Sequence, residues 1–204
     1  MAGFLPEEDI NMSDNKRALA ILREAGALQE GHFVLTSGRH TAQYLQSSRI
    51  FRQPRLSGAL CALLAEKFSA AGVELVIGPA MGAVQMAYEI SRLLRCENAF
   101  TERENGVMAL RRGFAVRPGQ KVLVVEDVIT TGGSVREVME LVRCAGGEVV
   151  GVGAIADRSA EHVKFGVPFH AAAVLEMESW EPENCPLCKS GAGAPQKPGA
   201  VKKG

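Results

Sequence analysis

The run VLVVEDVITTGGS, Val122 to Ser134, limits what this chain can fold into more than any other stretch. Val122 to Val125 are apolar and mostly β-branched, the composition of a strand buried on both faces of a parallel sheet. Two adjacent acids, Glu126 and Asp127, end it, and a short loop with two threonines and two glycines follows. From Val135 to Arg143 the apolar residues recur at helical spacing. A strand, a glycine-rich loop and a helix together form a phosphate cradle. Loop N–H groups and the positive end of the helix both favour an anion.

The two acids narrow the kind of cradle. There is no lysine for a Walker loop and no Gly-x-Gly-x-x-Gly for a dinucleotide fold. Carboxylates beside the loop would repel a bare phosphate. They suit the hydroxyls of a ribose, which donate hydrogen bonds to them, or a divalent metal. A ligand with a phosphate at one end and a ribose diol beside it satisfies both halves. A strand ending in a turn, with Asp127 or Thr130 as a helix cap, accounts for the acid pair alone but not for all thirteen residues.

Apolar periodicity organises the rest. Residues 1 to 13 read as a loose leader, and Ser13-Asp14 caps a helix that ends near Gly26. Phe33 to Leu35 and Tyr44 to Ser47 read as strands around a turn at Ser37-Gly38. Pro54 starts a helix closed by Gly72. Leu75-Val76-Ile77 is a second buried strand, followed by a helix from about Gly82 to Leu94 and a short strand near Ala99-Phe100. Residues 102 to 109 are polar, with a turn at Asn105-Gly106, and Leu110 to Val116 reads as a strand. Met81, Met86 and Tyr88 read as helix packing. Val149 to Ala156 is a further strand. Alternating strands and helices predict an α/β fold, a parallel sheet flanked by helices with right-handed crossovers. Such sheets bind ligands beyond the carboxyl ends of their strands, where residues 78 to 83, 126 to 134 and 157 to 158 fall. The expected layout is a single domain: leader 1–13, a small N-terminal hood 14–53, the α/β core 54–180 and a mobile tail 181–204.

With 204 residues the chain is long enough for one well-buried core, and its 23 basic and 23 acidic residues give no bulk reason to bind nucleic acid. No apolar run reaches membrane-spanning length and no signal core is present, so a soluble cytoplasmic protein is the expectation. Of five cysteines, Cys61, Cys96 and Cys144 read as reduced thiols among apolar neighbours. Cys185-x-x-Cys188 is the one metal-like spacing, and a zinc site would need two more ligands. His162 and His170 exist, but their spacing matches no zinc motif. A free pair in the tail, with no metal ligand in the chain, is the expectation; a zinc shared between two chains is the alternative.

The Val122–Ser134 segment resembles the phosphoribosyl-diphosphate motif of type I phosphoribosyltransferases. Phe33 to Leu45 (FVLTSGRHTAQYL) resembles the N-terminal signature of the orotate phosphoribosyltransferase family. Gly78 to Ala83 (GPAMGA) is similar to its diphosphate loop and Ala156 to Ser159 (ADRS) to its orotate-side loop. The ending Cys185 to Cys188 (CPLC) is similar to the short bacterial and archaeal branch. These matches stand in family order over about residues 14 to 190.

The resemblance implies transfer of phosphoribosyl from 5-phosphoribosyl 1-diphosphate to orotate, giving orotidine 5′-monophosphate and diphosphate, with substrate-bound Mg²⁺ and a homodimer sharing its active sites. It assigns the phosphoribosyl diphosphate to Glu126, Asp127, Val128, Ile129, Thr130, Thr131, Gly132, Gly133 and Ser134, with Ala80, Met81 and Gly82 at the diphosphate. Orotate falls to Thr130, Arg158, Ser37, Gly38 and Tyr44, with Arg39 completing that side, and the catalytic roles to Glu126, Asp127 and Arg103. Arg158 and Tyr44 also admit plain structural roles, as a local ion pair with Glu161 and a core aromatic. The family's mobile loop usually carries lysines and a histidine. Here Thr101 to Arg112 offers only Arg103, Arg111 and Arg112, and Met81 replaces a usual Tyr-Lys pair. A phosphoribosyltransferase for another base, or a non-catalytic regulator that senses nucleotides, are the other readings.

Overall fold

A computed structural model describes residues 7–35, 37–159 and 163–197, and the side chains from residue 13 onward. Helix α1 (Glu7–Glu24) leads into a hairpin of β1 (Leu28–Val34) and β2 (His40–Leu45). A short α2 (Ser48–Phe51) and α3 (Pro54–Lys67) follow. The central part runs β3 (Leu75–Pro79), α4 (Val84–Leu94), β4 (Glu97–Glu104), β5 (Val107–Leu110), β6 (Lys121–Ile129), α5 (Gly133–Cys144), β7 (Glu148–Asp157) and β8 (Phe169–Val174). A 3₁₀ turn at Pro182–Asn184 and α6 (Pro186–Lys189) come last.

The main sheet has the order β5-β4-β3-β6-β7-β8, and every pairing in it is parallel except β4 with β5. The period-two alternation of β6 shows why it is central. Leu123 and Val125 join Leu60, Leu64, Met86 and Ile90 on the face covered by α1, α3 and α4. Val122 and Val124 join Val138, Val142 and Val152 on the face covered by α5. The expected parallel sheet flanked by helices is therefore present, with the β1–β2 hairpin as the hood beside it.

Several boundaries differ from the sequence expectation. The leader of residues 1–13 is not all loose: α1 already begins at Glu7. The hood strands are longer toward their N-termini, and the pairing shifts register between Glu30 and Phe33. The polar stretch at 102–109 is the β4–β5 hairpin, turning at Asn105 (φ 51°) and Gly106 (φ 84°). Two successive positive φ values are what a tight hairpin needs and what Asn-Gly supplies. The strand expected over Leu110 to Val116 stops at Leu110. Cys144 is exposed, not a core thiol.

The largest correction concerns the tail. Residues 181–197 pack on the hood as an ordered segment. Gln196 bridges to Phe33, and Trp180 just ahead of them bridges to His40. Arg39 donates from Nε to Ser179 Oγ (2.9 Å) and bonds Glu181 and the Ser179 carbonyl. Cys185 is buried against His32 and His40, while His170 lies edge-on to Phe68 and His162 is outside the described residues. The cysteine pair is thus held against His32 and His40, two histidines not considered from sequence.

Candidate active site

The cradle is built where β6 gives way to α5. The strand continues past the acids to Ile129, paired through Glu126↔Ala154, Val128↔Ala156 and Ile129↔Asp157. Sheet pairing thus fixes the backbone that carries Glu126 and Asp127. Thr130 and Thr131 are exposed and Gly132 is buried with φ 73°. A Cβ there would stand 2.9 Å from the Phe165 ring, so the turn into α5 demands glycine on two counts. Gly132, Gly133 and Ser134 line a small pocket with Glu126 and Thr131, open at the N-terminus of α5.

Arg136 braces this loop. Its guanidinium donates to the Thr131 carbonyl (3.0 Å) and the Lys164 carbonyl (3.0 Å) and lies over the Phe165 ring. Nothing in the sequence pattern singled it out beyond its place in the first turn after the cradle.

The diphosphate loop meets the acids directly. Gly78 sits beneath it because a side chain there would reach 2.6 Å from the Val125 carbonyl. Ala80 N–H donates to the Thr101 carbonyl (2.7 Å), and the Ala80–Met81 peptide is cis. A Cβ on Gly82 would stand 2.4 Å from Asp127 Oδ2, so the loop backbone and this carboxylate share one small space. Met81 is exposed and projects from the loop; it and Tyr88 are not helix packing, unlike the buried Met86. The Thr101 hydroxyl beneath the loop is buried without a hydrogen-bond partner among the described residues.

The two acids are differently placed. Asp127 Oδ1 accepts from Val128 N–H (2.8 Å). Glu126 is pushed up to about 8, first by burial and then by the Asp127 charge. Near neutral pH, Glu126 therefore holds its proton and can donate to a hydroxyl oxygen. A carboxyl kept neutral by burial can serve as a hydrogen-bond donor.

On the other side of the cradle, Arg158 N–H donates to the Ile129 carbonyl (2.8 Å), which ties the orotate-side loop to the end of β6. Its guanidinium is half-buried, and its Nε has no partner among the described residues. Burial pulls its proton affinity down, while nearby Tyr44 acts the other way. A buried, unpartnered guanidinium nitrogen is costly unless a ligand completes it. Glu161, the partner considered for it from sequence, is outside the described residues.

The structure thus brings together Glu126 to Ser134 and the Ala80–Gly82 loop, with Arg158 and Tyr44 beside them. Four other residues stand apart. Ser37 and Gly38 are exposed at the hood turn, and their hydrogen bonds stay within the hairpin. Arg39 is engaged by Ser179 and Glu181. Arg103 lies on the exposed β4–β5 hairpin, its guanidinium paired with both carboxylate oxygens of Glu137 on α5 (2.7 and 2.8 Å).

With this geometry established, the relatives are informative. A family model for the phosphoribosyl transferase domain matches residues 46–165. The orotate phosphoribosyltransferase of Caldicellulosiruptor bescii is 50% identical over 190 residues, 93% of this chain and 100% of that protein. The chain belongs to the orotate phosphoribosyltransferase family. Among solved structures, the orotate phosphoribosyltransferase of Mycobacterium tuberculosis H37Rv in complex with inorganic phosphate superposes with TM-score 0.64 at 26% identity, covering 80% of this chain and 96% of that one. An adenine phosphoribosyltransferase from Rhodothermus marinus reaches the same TM-score, 0.64, at 21% identity, covering 79% of this chain and 100% of that one. That second likeness is one of fold alone. In the orotate phosphoribosyltransferase family the choice of base must therefore come from what surrounds the cradle, not from the sheet.

Proposed function

We propose that this chain transfers the phosphoribosyl group of 5-phosphoribosyl 1-diphosphate to orotate, a step of pyrimidine nucleotide synthesis. The carrying observation is the contact of the diphosphate loop with the acid pair, where Gly82 leaves no room for a side chain beside Asp127. A ligand held by the cradle at its 5′-phosphate and by the Ala80–Gly82 loop at its diphosphate lays its ribose across Glu126 and Asp127. Curated relatives at about half identity carry the same activity in their names.

Each group then has a task. Loop N–H groups of Thr130 to Ser134 and the Thr131 and Ser134 hydroxyls hold the 5′-phosphate. Asp127 stabilises positive charge growing at C1 as the bond to diphosphate breaks, while neutral Glu126 orients a ribose hydroxyl. The orotate ring nitrogen, having given up its acidic proton to solvent, forms the new bond to C1, and diphosphate leaves with the electron pair of the old one. The free Arg158 nitrogen pairs with the orotate carboxylate, and Tyr44 closes the pocket beside it. The carboxylate oxygens of Asp127 are hard donors of the kind Mg²⁺ prefers, so the site fits a cation that arrives with substrate. When bound, Mg²⁺ neutralises diphosphate charge.

We further propose a homodimer. The exposed Met81 and Tyr88 suit burial against a second copy. No described helix is long and apolar enough to cross a membrane, and five cysteines with no disulfide among them suit a reducing compartment such as the cytoplasm.

The test is loss of orotate absorbance with the ribosyl diphosphate and Mg²⁺, run in parallel with adenine, guanine, hypoxanthine and uracil. Turnover is expected with orotate and little with the others. Comparable rates with a purine would overturn the base assignment, and binding without turnover of any base would favour the nucleotide-sensing reading.

A further inference from the structure

Far along the chain from the cradle, four side chains converge. His40 pairs opposite Val34 in the hood hairpin, and His32 lies in the irregular stretch just before Val34, where its ring meets that of His40 edge-on with centroids 4.9 Å apart. The segment holding Cys185, at the N-terminus of α6, and Cys188, within it, lies against the two rings. His32 Nε2 is 3.1 Å from His40 Nδ1 and 3.5 Å from Cys185 Sγ. Cys188 Sγ is 3.7 Å from His32 Nε2 and 3.4 Å from His40 Nδ1. All four ligand atoms lie within 4.8 Å of one another, and His32, His40 and Cys185 are buried.

These distances are the edges of a small tetrahedron. Zinc bonds of about 2.0–2.1 Å to nitrogen and 2.3 Å to sulfur give N···N edges of about 3.3 Å and N···S edges of about 3.6 Å. The tautomer of His32 agrees. Its Nδ1 is 2.8 Å from the Gly193 carbonyl, which can only accept, so Nδ1 carries the hydrogen and Nε2 turns its lone pair to the centre. A carbonyl holding the outer nitrogen of a histidine is the usual support of a metal ligand. Two thiols and two imidazoles in tetrahedral array select zinc over harder cations.

We propose that His32, His40, Cys185 and Cys188 bind one structural zinc ion, which clamps the C-terminal segment to the hood. All four ligands come from one chain and leave no open position, so the ion is structural and does no chemistry. It closes a loop that spans nearly the whole core. Among the described residues the other links between these segments are the bridges Phe33–Gln196 and His40–Trp180, the His32–Gly193 hydrogen bond and the contacts of Arg39, few for an anchored tail. Tyr44 lies on the same hairpin, so the clamp also steadies one wall beside Arg158.

The test is metal content of the untagged full-length protein, expressed with zinc and purified under reducing conditions without chelator. About one zinc per chain is expected. Reduced, metal-stripped protein titrated with Co²⁺ should develop the strong visible bands of a tetrahedral site and near-ultraviolet thiolate charge transfer, saturating near one equivalent. The double variant Cys185→Ser, Cys188→Ser should lose both signals at least about tenfold, whereas Cys144→Ser at an exposed thiol should keep them. Wild-type protein with under about a tenth of an equivalent of zinc and no tetrahedral cobalt spectrum overturns the proposal, as does a Cys185–Cys188 disulfide in anaerobically purified protein. Both of those readouts need no variant to fold. Failure here leaves the orotate assay untouched, and the reverse.

Discussion

Glu126 gives the site a pH signature that stability measurements can read without substrate. In the folded chain it titrates at about 8, against 4.5 for a free glutamate, because burial penalises its charge and Asp127 repels it. An unfolded chain releases that proton near 4.5. Between the two values the native state binds one more proton than the unfolded state, so stability falls as pH rises. The contribution is fully present below about pH 4.5 and lost once the pH has risen through about 8. The gap, at about 1.36 kcal/mol per pH unit, caps the effect at about 5 kcal/mol. The side chain keeps some contact with solvent, which brings the expectation to about 2–4 kcal/mol. Glu126→Gln has no charge to acquire and should escape this loss. For a chain of this size that means the variant gains about 5–15 °C in melting temperature relative to wild type between about pH 5 and about pH 9. Scanning calorimetry of both proteins without substrate measures it. Asp127→Asn supplies a control: removing the repelling charge should move the wild-type loss to lower pH. Melting temperatures of wild type and Glu126→Gln that run parallel across the range would refute the reasoning.

Three further outcomes bear on the proposed chemistry. Asp127→Asn should lower kcat by about 10²–10³ while changing the affinity for phosphoribosyl diphosphate little, because its charge matters most when C1 becomes positive; a raised KM with unchanged kcat would make it a binding group. Arg158→Ala should cut kcat/KM for orotate by about 10- to 150-fold, the worth of a hydrogen bond to a charged group, and leave the KM of the ribosyl diphosphate unmoved; an equal effect on both substrates would remove it from the orotate side. Arg103→Ala mixed with Asp127→Asn, after subunit exchange, should restore activity at about a quarter of sites if the β4–β5 hairpin acts on the partner's cradle; with a dimer verified by sedimentation, no restoration would place Arg103 in its own chain's site.

What was legible in the sequence was local in the chain. The cradle follows β6 directly, so strand composition, acid pair, glycine pair and helix period all fall within one readable run, and the structure keeps that order. The turn at Asn105-Gly106 was legible for the same reason, although the strands around it were only partly so, since β4 is partly exposed and rich in charge and β5 spans only four residues. Strand β8 (Phe169–Val174) escaped notice because FHAAAV offers little apolar bulk. Helix α1 starts in a run of acids and amides with no apolar stripe to mark it. Long-range partners left no trace at all. Arg39 finds Ser179 and Glu181 about 140 residues away, and His32 meets Cys185 across a separation of 153. Cys-x-x-Cys gave half of a ligand set; the other half sits on a hairpin whose register no spacing rule reports.

The missing loop lysines take on a different meaning once the hairpin is seen. Arg103, Arg111 and Arg112 are not an unshielded positive lid, because each is paired with a carboxylate: Glu137, Glu104 and Glu102. All three arginines are exposed, and exposed pairs add little to stability, so exchanging a carboxylate for a diphosphate oxygen is easy. Arg103 is the one whose partner lies on the cradle helix, so its resting pair already holds the hairpin beside α5. A permanently charged guanidinium cannot give up a proton to a leaving group. It can neutralise the charge that diphosphate gathers as it departs, and orotate needs no acid to help it displace so good a leaving group. A hairpin armed only with arginines is therefore consistent with catalysis by charge stabilisation, in which Arg103 compensates the departing diphosphate while Asp127 compensates the carbon it leaves.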